Sequence, residues 1–98
     1  MITFSPMNPE DEAVPFVLDF SALLAAGETI ASVTSATAAP GTIAVGSPLI
    51  VDGARSHCAV QFTLGRGQVN VGYTITVEVV TSQNVTLARS CYVPVRSV

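Results

Sequence analysis

A chain of 98 residues, 49% hydrophobic and 11% charged, can enclose one core but not a second beside it, and it is too apolar to be disordered. Its net charge of −3, with no lysine and four scattered arginines, excludes nucleic acid as a ligand, because phosphate neutralisation needs clustered cations. So few charges leave the surface to Thr, Ser, Gln and Asn and point to partial cover by a partner.

Met1 to Pro9 carries two of the six prolines before an acidic triplet, Glu10, Asp11 and Glu12, and shows no periodicity. Residues 1–12 therefore read as an extended arm, and residues 13–98 as one domain. Nothing in this start has the basic residues and apolar run of a signal peptide, and no stretch approaches a membrane span, so the expected site of synthesis is the cytoplasm, with no membrane partner. Ile2, Phe4 and Met7 are apolar anchors that would be idle in a free arm, so the arm is expected to dock on a neighbour.

Val14 to Phe20 is built of strand formers, with Pro15 placing it at a sheet edge. Asp19 either faces solvent in alternation or caps the segment after it. Ser21 to Gly27 reads as one short helical turn closed by a left-handed glycine. Glu28 to Thr37 starts well as a strand, but Ile30 and Val33 fall out of phase, which predicts a bulge. Turn segments at Ala38 to Gly41, at Gly46 to Pro48 and at Asp52 and Gly53 then bound two short edge strands, Thr42 to Val45 and Leu49 to Val51.

Ser56 to Leu64 alternates, with Cys58, Val60, Phe62 and Leu64 on the inward phase. The Gly65 to Gly72 loop, whose three glycines in eight residues indicate backbone of positive φ, leads to the strongest strand in the chain, Gly72 to Ser82, where Tyr73, Ile75, Val77 and Val79 share one face and Thr74, Thr76 and Glu78 the other. A tyrosine directly after such a corner is placed to hydrogen-bond backbone a few residues upstream, as a tyrosine corner does. Gln83 and Asn84 supply a turn, and Thr86 to Val95 the last strand, with Leu87, Cys91, Val93 and Val95 inward. Arg89 shares that phase, which places it at the core rim or marks a register reset. About seven short strands separated by turn signals predict an all-β chain, an immunoglobulin-like antiparallel sandwich.

The same residues offer no catalytic site. Gly65, Arg66 and Gly67 join two strands, with neither a helix N-terminus nor a following lysine to hold phosphate. Asp19 and Glu28 lack a nucleophile or histidine partner and read as solvated strand-end carboxylates. His57 beside Cys58 points to the opposite face of a strand, and two cysteines with one histidine do not complete a metal site. Two buried thiols at Cys58 and Cys91 are favoured over a disulfide in a reducing compartment. No enzyme, metal or cofactor is expected.

Several short motifs stand in a particular order: Asp19 and Phe20 before Leu23, Leu24 and Ala25; Gly27, Glu28, Thr29 and Ile30; Gly72 and Tyr73 opening a strand that ends in Thr81 and Ser82; and Arg89 with Ser90 in the last strand. In this order the chain resembles the small fibre-to-tail adaptor family of tailed bacteriophages over Pro15 to Val95. It departs from the family pattern in two ways: it has no Trp, with Phe20 and Val33 where members usually carry one, and the Gly-Gly pair that members carry before the corner is here Gly65-Arg66-Gly67. The resemblance implies a non-enzymatic virion protein of the tail, assembled in the host cytoplasm in several symmetry-related copies, that joins the tail tube, nozzle or adaptor to a fibre or spike. It makes Asp19, Phe20, Gly27, Gly72 and Tyr73 fold-defining, and the partner surface is expected on the polar faces of the edge strands and on the arm, at Ile2, Phe4, Met7, Glu10, Asp11 and Glu12. The alternatives are a capsid decoration or neck protein, and a carbohydrate- or host-surface-binding module. A sugar platform needs an exposed aromatic ring, and with Tyr73 inward only Tyr92 remains to supply one.

Overall fold

The computed structural model describes residues 2–4, 6, 13–41, 43–54 and 56–96. In chain order its strands are β1 (Ile2–Thr3), β2 (Val14–Asp19), β3 (Ile30–Ala39), β4 (Ala44–Val45), β5 (Leu49–Val51), β6 (Ala59–Gly65), β7 (Gly72–Thr81) and β8 (Thr86–Pro94), with a 3-10 turn at Ser21–Leu23. One sheet runs β1-β8-β7-β3; the other runs β2-β6-β4, with β5 also on β6. Putting β2 and β6 in one sheet and β3, β7 and β8 in the other is the strand partition of an immunoglobulin-like sandwich.

The alternation in β7 decides where the core lies. Tyr73, Ile75, Val77 and Val79 are fully buried, and the residues between them are half-buried on the outer face. They meet Leu18, Val60, Phe62 and Leu64, also fully buried, from the facing sheet. Such side chains are worth about 1.5–3 kcal/mol each on burial, so the two alternating strands carry the largest share of the stabilisation. The bulge expected in β3 is present as two register irregularities, between Ile30 and Ser32 and between Val33 and Ser35. They bring Val33, Ala36 and Ala38 to the core side against Val79, Val77 and Ile75.

β3 begins at Ile30 and runs through Ala38 and Ala39, where a turn is expected, because both continue the ladder to Ile75 and Thr74, and β4 begins at Ala44. Three further differences from the sequence reading are larger. The helical turn ends at Leu23 and Leu24 is extended, so Gly27 (φ 79°) does not close it; it sits inside the next turn, closed by Glu28 N–H to the Ala25 carbonyl at 3.0 Å. The sixth strand begins at Ala59 and not at Ser56, because Asp52 Oδ1 accepts the His57 N–H at 3.0 Å and holds that segment as a turn.

The third difference concerns the arm. Ile2 and Thr3 form an eighth strand, parallel to β8 and opposite Cys91 and Tyr92, and the Phe4 N–H continues the ladder to the Tyr92 carbonyl at 2.9 Å. The Phe4 ring packs on Phe16, centroids 5.1 Å apart. The physical reason is an open ladder on β8, which two extended residues satisfy, beside an aromatic seat that a solvent-exposed Phe4 would leave empty. Residues 2–4 therefore belong to the sandwich and not to a free arm; Met7, Glu10, Asp11 and Glu12 lie outside the described residues.

Cys58 and Cys91 are buried and unbridged, and burial pushes the Cys91 thiol up to about 11. Native protein should thus react slowly with a thiol reagent at neutral pH and unfolded protein quickly, with two groups titrated. Rapid native labelling at Cys91 would contradict its placement.

A latched end, a corner and an apolar strip

Asp19 ends β2, and its carboxylate draws three segments together. Oδ1 accepts the Ser21 N–H at 2.7 Å, capping the 3-10 turn, and Oδ2 accepts the Ala54 N–H at 3.0 Å from the β5–β6 turn. The Cys58 thiol donates to Oδ1 at 3.6 Å. Gly53 is required here, since a Cβ would lie 2.7 Å from Asp19 Oδ2. From the facing sheet, Arg89 donates through Nη1 to the Asp19 carbonyl at 2.7 Å. Arg89 sits on the inward phase of β8 opposite Val77, so it is a rim residue clamping one sheet to the other.

Partial burial pushes the Asp19 carboxyl up, but the Ser21 and Ala54 N–H groups, with the Ser21 hydroxyl and the Cys58 thiol, together hold it below the usual 3.8. A carboxylate with a depressed folded pKa stabilises the fold above its unfolded pKa, and that contribution is lost as pH falls through the folded value. Between pH 5 and 2 the parent should therefore lose stability more steeply than Asp19→Asn. Equal acid slopes would mean the carboxylate makes no preferential bonds.

Glu28 reads from the sequence as solvated and is instead buried, because its neighbours present two donors to it. The Thr81 hydroxyl donates to Oε2 at 2.6 Å and the Ala25 N–H to Oε1 at 2.8 Å. Beside this contact the Ser82 N–H bonds the Thr29 carbonyl at 2.8 Å, and the Thr29 N–H bonds Ser82 Oγ at 3.1 Å. Thr81 Oγ1 also accepts the N–H groups of Gln83 and Val85, at 3.3 and 3.2 Å, shaping the β7–β8 turn. The Glu28-Thr29 and Thr81-Ser82 pairs, far apart in sequence, are two halves of one latch. Asp19 and Glu28 are thus engaged with backbone, hydroxyl and thiol donors, and the third carboxylate at this end, Asp52, lies 4.0 Å from Nδ1 of His57 with both side chains exposed.

At the opposite end Tyr73 is fully buried, and its hydroxyl accepts the Gln68 N–H at 2.9 Å, the geometry of a tyrosine corner. Positive φ in the loop falls on Arg66 (56°) and Asn70 (61°) and not on Gly67 or Gly72. Gly67 is needed for space instead, since it lies beneath the Tyr73 ring, where a Cβ would approach Val95 Cγ2 to 2.6 Å. Gly72 has a reason the sequence does not display: a Cβ there would run into the ring and hydroxyl of Tyr92. That ring is half-buried, and Tyr92 with Gly72, Asn70 and Arg96 lines a small open cleft. Phe20 is fully buried, its N–H bonded to the Cys58 carbonyl at 2.8 Å. All four Phe and both Tyr are described, and none is exposed. Among the described residues no cluster of three or more His, Cys, Asp or Glu could hold a metal.

The outer face of the β2-β6 sheet is different in kind. Val17 and Leu49 both stand opposite Gln61, one in each ladder of β6, and they are 44% and 60% exposed. Pro15, exposed, and Val51, half-buried, extend the row. Gln61 stands between Val17 and Leu49, so the two flank a polar residue, yet two large apolar side chains this exposed on one sheet face are what a protein partner can cover. In β2, alternation with inward Phe16 and Leu18 makes Val17 point outward, a signal present in the sequence. Leu49, Ile50 and Val51 contain no polar residue, so their phase could not be read.

The family model described as podophage GP4 fiber-tail adaptor protein gp77 matches residues 9–94. No curated protein and no solved structure matches the chain.

Proposed function

Because the chain belongs to the podophage GP4 fiber-tail adaptor family, we propose that this virion component is a non-enzymatic connector, held between the tail machinery and a fibre or spike in several symmetry-related copies. The observation that carries the reading is the family match, which spans nearly the whole sandwich. The structure supports it in two ways. Its motif residues are spent on rigidity, since Asp19 with Arg89 and Glu28 with Thr81 lock one end of the domain. The outer face of its β2-β6 sheet exposes Val17 and Leu49 to a protein partner. A rigid body with an adhesive face is what a connector needs, because load passes through it without internal rearrangement. Beyond the strand that Ile2 and Thr3 add, residues 5–12 are proposed to reach a second virion protein through Met7 and the Glu10-Asp11-Glu12 triplet. Assembly in the host cytoplasm is consistent with the two unbridged thiols.

Particles produced without this protein test the role directly. They should retain filled heads and complete tails but lack fibres or spikes. Loss of head integrity with fibres retained would instead indicate capsid decoration, and intact, fibred particles that no longer adsorb would indicate a host-surface-binding module.

A further inference from the structure

The edge strand β3 carries no charged residue in ten, and it ends the β1-β8-β7-β3 sheet. Among the described residues, no hydrogen bond leaves residues 31–39 except into the ladder with β7. Exposed edges are normally protected by charge, proline or bulges. Here the irregularities at Ile30/Ser32 and Val33/Ser35 distort the first half, and Pro40, without an N–H, closes the far end. Between them Ser35–Ala39 is a regular, unprotected stretch, paired with Glu78 to Thr74 of β7.

We propose that this stretch is the contact between two copies of the chain, paired antiparallel about a two-fold axis at Thr37. A foreign strand would be selected by pockets for its side chains, and Ser35, Ala36, Thr37, Ala38 and Ala39 are all too small to form them. The stretch is self-complementary instead. With the axis at Thr37, the two Thr37 residues face each other, Ala36 faces Ala38, and Ser35 faces Ala39. Threonine pairs across strands are favourable, and no like charges meet. The register is fixed, because a slip of two residues in either direction brings the bulge or Pro40 into the ladder. Thr37 shares the outer face with Thr76, so the joined sheet presents one continuous hydroxyl surface, broken on each copy by Glu78 beside Ser35. The pairing does not depend on which proteins the connector joins.

So short a ladder makes a weak dimer, populated at concentrations on the order of millimolar, the effective concentration that tethered copies reach. Sedimentation and amide exchange should be followed from dilute to millimolar protein. Mass should rise toward a dimer while exchange slows within residues 35–39. Thr37→Lys, which sets two cations face to face on the axis, should stay monomeric with the dilute parent's thermal midpoint; Ala88→Lys, adding the same charge away from the edge, should dimerise like the parent. A parent that is monomeric at millimolar concentration, protection that appears elsewhere, or a dimer that survives Thr37→Lys overturns the proposal.

Discussion

Replacing Glu28 by alanine is expected to lower the stability of the sandwich by about 3 kcal/mol, because the Thr81 hydroxyl and the Ala25 N–H both lose a buried acceptor, at about 1–3 kcal/mol each. For a domain of this length that is a fall of roughly 10–20 °C in thermal midpoint. Glu28→Gln keeps the shape and one acceptor oxygen, so it should recover more than half of the loss. The effect should also be non-additive with Thr81→Val, since each variant breaks the same contact. If Glu28→Ala melted with the parent, the carboxylate would have to be solvated and the latch at this end would not exist.

The second large effect is on assembly. Leu49→Asp places a carboxylate on the exposed outer face of β5, opposite Gln61, while leaving the core untouched. An exposed substitution of this kind changes stability by about 0.5 kcal/mol or less, so the isolated variant should melt within a few degrees of the parent. Under a partner the same carboxylate is desolvated and unpaired, which costs about 3–5 kcal/mol and weakens docking by more than about a hundredfold. Leu49→Asp, and independently Val17→Asp on β2 at the other side of β6, should therefore fold and fail to enter particles. Leu49→Met should enter normally. Normal incorporation of both aspartate variants would show that this face stays in solvent.

These two sites differ in how far the sequence discloses them. The β7 alternation from Tyr73 to Val79 is complete and implies the central strand and the inward Tyr73, and the Cys58 to Leu64 alternation likewise implies the inward Phe62. The phase break between Ile30 and Val33 is legible for the same reason, since a bulge interrupts a period that can be counted. Glu28 is the opposite case. A lone carboxylate at a strand start reads as solvated, and its partner is a threonine 53 residues away that no local pattern connects to it. Its burial could be suspected only from the way the Gly27-Glu28-Thr29 and Thr81-Ser82 motifs accompany one another.

The arm shows a further limit. Two residues have no period, so the pairing of Ile2 and Thr3 with β8 cannot be read locally, and the prolines nearby argue for a free segment. What holds the start of the chain is tertiary: an unfilled ladder and the Phe16 ring that receives Phe4. Gly72 and Gly27 each satisfy a need, but not the one their loop context proposes. Gly72 makes room for the Tyr92 ring across the strand pair, and Gly27 supplies positive φ to a turn that lies beyond the helical one.

The central claim is that this sandwich stands between two other virion proteins, and the measurement that tests it most directly is a density map of the intact particle at side-chain resolution. The account predicts a copy of the domain in contact with a tail protein on one side and a fibre or spike protein on the other, with Val17 and Leu49 buried under one of them and the Glu28–Thr81 latch unchanged. A domain that touches a single virion protein, with the Val17–Leu49 row facing solvent, would contradict it.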